Sequence, residues 1–191
     1  MLVNYREGFF KQPWIVSIEP DDERRLRAIL KVMPTASQLW KRLVDFYFRH
    51  GRHDEALATG NEYLKLYPND YDFAMAVAGA LFNINKHPRA VPLLEPFLAK
   101  RPTLELHQML GFAMFAAGRK VEGEALMRKA TAMQPDDWNS YYFLGYAHFY
   151  TGGQAGALPW FERLLEIAPN FPEIQERVRA IRSAKAARKS S

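Results

Sequence analysis

From residue 37 to residue 170 the chain repeats one arrangement of large apolar, small and polar positions four times. Prolines at 34, 68, 102, 135 and 169 mark the period, with spacings of 34, 34, 33 and 34 residues, and a fixed period of this size is the signature of a repeat architecture. Counted from Ser37, Tyr71, Leu104 and Trp138, the seventh place holds Leu43, Val77, Leu110 and Leu144, and the eighth holds Val44, Ala78, Gly111 and Gly145. The twentieth place is small throughout, with Ala56, Ala90, Gly123 and Ala157; the twenty-eighth holds Leu64, Leu98, Thr131 and Leu165. Small side chains at two fixed places let two helices cross closely, and the large apolar ones seal the crossing. Each frame therefore predicts two amphipathic helices joined near "HGRH", "INKH", "AGRK" or "TGGQ", with the proline closing the second. The helices expected are 37–50, 54–67, 71–84, 88–101, 104–117, 121–134, 138–151 and 155–168.

The ends carry different patterns. "DDERRLRAILKVMP" at 21–34 has an Asp start, a stripe of Leu26, Ile29, Leu30 and Met33, and its own closing proline, so it predicts a helix near 21–33. "NFPEIQERVRAIRSAKAARKSS" predicts a helix near 171–186 with Ile174, Val178 and Ile181 on one side and charge on the other, as a terminal cap should have. Residues 5–18 hold Tyr5, Phe9, Phe10, Trp14, Ile15, Val16 and Ile18, too much apolar surface for a free tail. Pro13 and the lack of a 3.6-residue stripe predict an extended or irregular segment. Three placements are open for it: covering the first helices, filling a groove in cis, or pairing with a second molecule. In "HPRAVPLLEPFLAKRP", Pro88, Pro92 and Pro96 recur every four residues on one face, which predicts a bent helix.

With Trp40, Leu43, Tyr47, Ala56 and Pro68 in the first frame, and Leu144, Gly145, Ala157, Phe161 and Pro169 in the fourth, the chain resembles the tetratricopeptide-repeat family. The second frame departs from the pattern at its turn, where Asn85 replaces the usual glycine. The resemblance implies an all-α, right-handed helical-repeat solenoid of four helix pairs. Its organisation would be an N-terminal arm at 1–20, a degenerate repeat helix at 21–36, repeats at 37–70, 71–103, 104–137 and 138–170, and a capping helix with a basic tail at 171–191. It also implies a concave groove lined by places two, five, nine, twelve and thirteen of each first helix. Carried onto this sequence, the groove candidates are Lys41, Phe48, Met75, Phe82, Phe112, Phe115, Tyr142, Tyr146, Phe149 and Tyr150. The twelfth place is phenylalanine in all four frames, and "DWNSYYFLGYAHFYTGG" supplies more rings than one small helix buries. A contiguous exposed apolar face of that kind marks a binding site.

Composition narrows the function classes. Of 191 residues, 48% are hydrophobic and 25% charged, the balance of a folded chain, and no cysteine is present for disulfide, thiol or zinc–thiolate chemistry. The net charge of +5 is concentrated in the last twenty-one residues, where Arg177, Arg179, Arg182, Lys185, Arg188 and Lys189 face only Glu173 and Glu176. That is a basic tail rather than a stripe along a folded face, so no nucleic-acid partner is expected. No apolar run approaches the roughly 20 residues of a membrane helix, and no secretory h-region is seen, so a soluble cytoplasmic protein is expected. His50 and His53 straddle a turn without a third ligand, which predicts no metal. No nucleophile elbow, phosphate loop or metalloprotease pair occurs, so neither an enzyme nor a cofactor is expected.

The function expected is protein interaction: an adaptor or chaperone that holds a peptide segment or helix of another protein. Two alternatives stay open, an assembly subunit whose groove is filled by its own arm or by a second copy in a homo-oligomer, and a chaperone of the type III secretion kind. The carboxylate-clamp subtype of the family is not expected, because Lys41 is followed by Asp45, Met75, Gly79 and Gln108 where further donors would be needed.

Overall fold

The computed structural model describes residues 20–151 and 154–189, and among these every regular element is helical. The chain divides between Phe97 and Leu98 into two compact units, a division that falls inside the stretch expected as the second repeat.

In the first unit, α1 (Pro20–Val32), α2 (Ser37–Arg49), α3 (His53–Leu66) and α4 (Tyr71–Asn83) are joined by loops of three or four residues. Loops this short make consecutive helices antiparallel neighbours. The seventh and eighth places land in the core as their pattern requires, with Leu43, Val44, Val77 and Ala78 all buried, and Ala56 fully so. Trp40 fills the α2–α3 hairpin, and its indole Nε1 donates to the carbonyl of Pro34 at 2.9 Å, tying the repeat-closing proline to the next helix. The Tyr63 hydroxyl donates to Asp70 Oδ2 at 2.5 Å, while Asp70 Oδ1 caps the amide of Phe73 at 2.9 Å. One carboxylate thus satisfies a buried phenol and an otherwise unpaired helix-start donor.

The turns explain how Asn85 replaces glycine. Gly51 and Asn85 both sit at positive φ, 69° and 58°, as does Gly118 at 90° in the second unit. After each, an amide reaches back to the last turn: Arg52 to Tyr47 O, Lys86 to Leu81 O and Arg119 to Met114 O. This is a left-handed helix stop, which asparagine tolerates better than other residues with a side chain.

The helix expected over 88–101 does not form. Residues His87–Ala90 and Glu95–Phe97 are 3-10 turns, and only Val91–Leu94 (α5) makes a single α turn between them. Pro92 and Pro96 each lack a donor and crowd the carbonyl four residues back, so the segment breaks rather than bends. Its apolar register survives, because Ala90, Val91, Leu93, Leu94 and Phe97 are buried while Pro88, Pro92 and Pro96 are exposed.

The second unit contains α6 (Leu104–Ala116), α7 (Lys120–Met133), α8 (Trp138–Thr151), α9 (Gln154–Ile167) and α10 (Pro172–Lys189). Thr103 caps α6 through the Leu106 amide at 3.2 Å. The α6–α7 crossing rests on two glycines, since a Cβ at Gly111 would stand 2.8 Å from the Gly123 carbonyl. In the α8–α9 hairpin a Cβ on Gly145 would run into the Phe161 ring. At the fourth place of its frame Tyr141 repeats the device of Trp40, donating to the carbonyl of Pro135 at 3.0 Å. His107, at the same place in its frame, is fully buried and bonds Thr103 O through Nδ1 at 2.8 Å. The expectations for the N-terminal arm fall outside the described residues.

Candidate functional site

Of the candidate contact residues in the first unit, Lys41 and Phe48 are half-buried on α2, whereas Met75 and Phe82 on α4 are buried. Lys41 is not free to clamp an anion: its Nζ lies 3.8 Å from Asp70 and 5.9 Å from the Phe73 ring centre. Nearby Asp45 pairs with Arg49 at 2.9 Å, and burial pushes its carboxyl up despite that arginine. Phe48 keeps a partly open edge beside the His53 ring, 5.9 Å away. His50 bonds the Phe46 carbonyl through Nδ1 at 2.8 Å, the role of a turn residue.

In the second unit the aromatic face of α8 exists, but much of it is already covered. The Tyr142 and Tyr146 rings lie tilted with centres 4.4 Å apart, and Tyr146 continues to Tyr150 at 5.6 Å and Phe149 at 6.3 Å. Against these rings lies the start of α10. Phe171 sits 5.4 Å from Trp138 and 6.2 Å from Tyr142, Glu173 accepts the Tyr146 hydroxyl, and the Arg177 guanidinium lies 5.0 Å over Tyr146 and 4.8 Å over Phe149. Burial first, and the Glu173 acceptor second, hold the Tyr146 phenol far above its ordinary range. The expectation that Tyr142 and Tyr146 form an open surface is therefore corrected. They are 6% and 1% exposed, and Phe112 and Phe115 are buried as well.

Tyr150 is the exception, 61% exposed, with half-buried Phe149 beside it. Next to Phe149 a surface recess of about 290 Å³ is lined by Gln154, Glu173, Glu176, Arg177, Ala180 and Ile181. Sequence reasoning missed Phe171, Glu173 and Arg177 as occupants of the face. The signal was present in "NFPEIQER", where an aromatic residue precedes an acid and a base spaced four apart.

A polar cluster sits at the start of the same helix. Gln108 Nε2 donates to Asp137 Oδ2 at 2.5 Å and to Ser140 Oγ at 2.8 Å, and its Oε1 accepts from Asn139 Nδ2 at 3.1 Å. Two groove places, the fifth of one frame and the second of the next, are thus spent on holding α6 to α8. At the other end of α8, His148 is half-buried, stacked 6.2 Å from Trp160 with Nε2 3.5 Å from Glu124. Among the described residues no group of three His, Asp or Glu side chains could hold a metal ion, and no helix is long and apolar enough to cross a membrane.

Comparison with known proteins fits this geometry. Two profiles of the tetratricopeptide repeat match residues 37–78 and 109–172. The chain belongs to the tetratricopeptide-repeat family. No curated protein matches the sequence. Among solved structures, the MamA protein of Desulfovibrio magneticus RS-1 is 20% identical over 78% of this chain and 85% of that one, with a TM-score of 0.61. YrrB, described as a tetratricopeptide-repeat protein with an unusual peptide-binding site, is 15% identical over 82% and 81%, with a TM-score of 0.62. A tetratricopeptide-repeat protein from Parabacteroides merdae ATCC 43184 is 15% identical over 84% of this chain and 64% of that one, with a TM-score of 0.65. At these identities the likeness is one of fold. Tetratricopeptide-repeat proteins are protein-interaction scaffolds, and this chain is one of them.

Proposed function

We propose that this tetratricopeptide-repeat scaffold holds a peptide segment or helix of another protein against the open end of the α8 aromatic face. The observation that carries the reading is Tyr150: a large aromatic side chain 61% exposed, continuous through Tyr146 with a buried aromatic cluster. Half-exposed rings on a rigid support offer contact area at little entropic cost, which is why tyrosine is enriched in interaction hot spots. Phe149 and the recess beside it would take a second apolar anchor, and Phe48 is the corresponding open edge in the first unit. The buried candidates Met75, Phe82, Phe112, Phe115, Tyr142 and Tyr146 shape the support rather than touch the partner, and Lys41 contributes a charge already engaged with Asp70. On this reading the protein is an adaptor rather than an enzyme.

Tyr142→Ala or Tyr146→Ala would be a poor test, because both rings are core. A photo-crosslinking phenylalanine analogue in place of Tyr150, expressed in the native source, is a direct one. The same analogue in place of Val121, which is 85% exposed on another helix, is the control. A discrete adduct from position 150 and none from 121 is the expected result. Equal labelling at both, or none, sinks the reading, and a crosslinked homodimer replaces it with the assembly-subunit alternative.

A further inference from the structure

In the first unit a surface groove of about 390 Å³ runs between α3 and the proline-broken segment, a volume in the range of clefts that hold a ligand. One wall is a stripe of α3 at i, i+3, i+4 and i+7: Asp54, Leu57, Ala58 and Asn61. The facing wall includes Arg89, Pro92 and Leu93. Leu57 and Leu93 are 6% and 3% exposed and make an apolar floor, while Ala58, Asn61 and Pro92 are exposed along the rim. At one end Arg89 Nη1 donates to Asp54 Oδ1 at 2.5 Å, tying the two walls together.

The second unit builds the same pair of faces from α7 and α9, and there the space between them holds an indole. Counted by place in the frame, Ala58 corresponds to Ala125 and Pro92 to Pro159, all at the twenty-second place and all exposed. The twenty-third place differs, being Leu93 in the first unit and Trp160 in the second. The Arg128 guanidinium of α7 lies 4.7 Å over the Trp160 ring, and the His148 ring of α8 is stacked on it at 6.2 Å. Arg128 holds the twenty-fifth place, which in the first unit is Asn61. A repeat with tryptophan thus reaches the facing helix with its own ring, whereas the repeat with leucine leaves the groove open.

We propose that this groove takes a tryptophan side chain from a segment of a partner protein, placed against α3 as Trp160 is placed against α7. Three features of the groove match that side chain and no smaller apolar one. Leu57, Leu93, Ala58 and Pro92 offer the ring carbon surface on several sides. Arg89 supplies a guanidinium for the ring face, the part that Arg128 plays for Trp160. An indole N–H taken out of water needs an acceptor, and the Asn61 amide and the second oxygen of Asp54 both stand in the lining. A leucine anchor would leave those polar groups unanswered, and a charged side chain would meet the apolar floor without a partner. The groove lies within the first unit, so the proposal does not rest on what binds near Tyr150.

The probe is the capped tripeptide acetyl-Ala-Trp-Ala-amide, titrated into the full chain labelled with nitrogen-15, with acetyl-Ala-Leu-Ala-amide and free indole as controls. The expected result is amide shifts centred on Ala58, Asn61 and Leu93, a Kd on the order of 1 mM, and binding roughly five-fold weaker or less for either control. Ala58→Leu enlarges an exposed wall residue and should weaken the probe by about ten-fold or more with the melting curve unchanged. A second measurement uses the other unit: Trp160→Leu copies the first unit and should open a second probe site, reported by the amides of Ala125 and Arg128. Equal binding of the leucine tripeptide, or an Ala58→Leu chain that binds as wild type does, overturns the proposal. So does a folded Trp160→Leu chain whose Ala125 and Arg128 amides ignore the probe. Free indole binding as tightly as the tripeptide overturns it in favour of a small-molecule ligand, and a dimer that the tripeptide dissolves overturns it in favour of a second copy.

Discussion

Helices α1 and α10 both flank the repeats, and both are fastened by a buried tyrosine, a glutamate and an arginine, yet they are built for different duties. On α10 the buried residues Ile174, Val178 and Ile181 form one stripe, and the opposite side, with Glu176, Arg179, Arg182 and Ser183, is exposed and polar. On α1 the open side next to Leu26 and Leu30 carries Ile29, Val32 and Met33. A one-sided helix ends an array, whereas a two-sided one asks for more structure. The fastenings differ in the same sense. Glu23 of α1 accepts the Tyr47 hydroxyl at 2.7 Å and is gripped at 2.5 Å by Arg52, which stands after α2, so a full ion pair crosses between elements. Glu173 of α10 accepts the Tyr146 hydroxyl, but its arginine, Arg177, lies four residues along the same helix at 3.1 Å. There the charge pair is internal to α10, and what crosses to α8 is a hydroxyl bond and a guanidinium over two rings.

The largest effects should come from the two tyrosine rings, which are 0% exposed at Tyr47 and 1% at Tyr146. Tyr47→Ala and Tyr146→Ala each leave a cavity and should cost about 3–5 kcal/mol in urea unfolding. Tyr47→Phe and Tyr146→Phe keep the ring and lose one hydrogen bond, about 1 kcal/mol. Were Phe as damaging as Ala, the rings would not be the fastening and the comparison would fall. Because Tyr146 also packs tilted against Tyr142 and Tyr150 and edge-on against Phe161, its Ala variant should be the worse of the two.

How much of this was legible depends on the range of the interaction. The 34-residue period, the turns and the small residues at helix crossings are local or strictly repeated, and the helix positions follow from them. Asn85 was readable as a weak turn, and its positive φ shows that it still serves as one. The three prolines announced a distortion, but whether donors lost at Pro92 and Pro96 bend a helix or break it depends on how many intact turns remain between them, and one was too few. The aromatic excess on α8 was equally visible. Its cover was not, because the contact of Tyr146 with Glu173 spans 27 positions and that of Tyr47 with Glu23 spans 24, and periodicity says nothing about which distant residue answers an apolar face. Tyr142 and Tyr146 were thus expected in the open while Tyr150, two turns from the first, is the ring that remains there.

Acidity sharpens the comparison at the α1 end. Hydrogen bonds from Arg52 and then from the Tyr47 hydroxyl hold the Glu23 carboxyl down, from its ordinary 4.5 to about 2. A depressed carboxylate contributes its stability in full above the unfolded value and loses it as pH falls through the folded one. Tm should therefore drop between about pH 4.5 and pH 2, and Glu23→Gln should flatten that limb. The alkaline limb has the opposite sign. Burial, with Glu23 as acceptor, raises the Tyr47 phenol to about 12, so its contribution is intact below the usual tyrosine value near 10 and is lost as pH climbs toward 12. Tyr47→Phe should flatten the alkaline limb in part only, since the Tyr146 phenol is raised too. An acid limb unchanged by Glu23→Gln would show that the α1 lock carries no linked proton.

Salt should give the smallest and most selective effect. Charges that cross between elements near the surface are screened over about 10 Å at 0.1 M and about 3 Å at 1 M ionic strength, whereas a hydroxyl bond and ring packing are hardly touched. The Arg52–Glu23 pair is partly exposed, with side-chain exposures of 36% and 23%, so it belongs to the weak, salt-screened class of surface ion pairs. Raising sodium chloride from about 0.1 M to about 1 M should accordingly speed amide hydrogen exchange in α1 by roughly two- to five-fold. Exchange in the first two turns of α10 should change by less, because its Arg177–Glu173 pair sits within one helix and screening it does not loosen the helix from α8. The Arg52→Met variant should remove the salt sensitivity of α1 and leave α10 as it was. Equal acceleration in both helices would mean that ionic contacts fasten them alike, and the distinction between a charged lock and an aromatic seat would have to be abandoned.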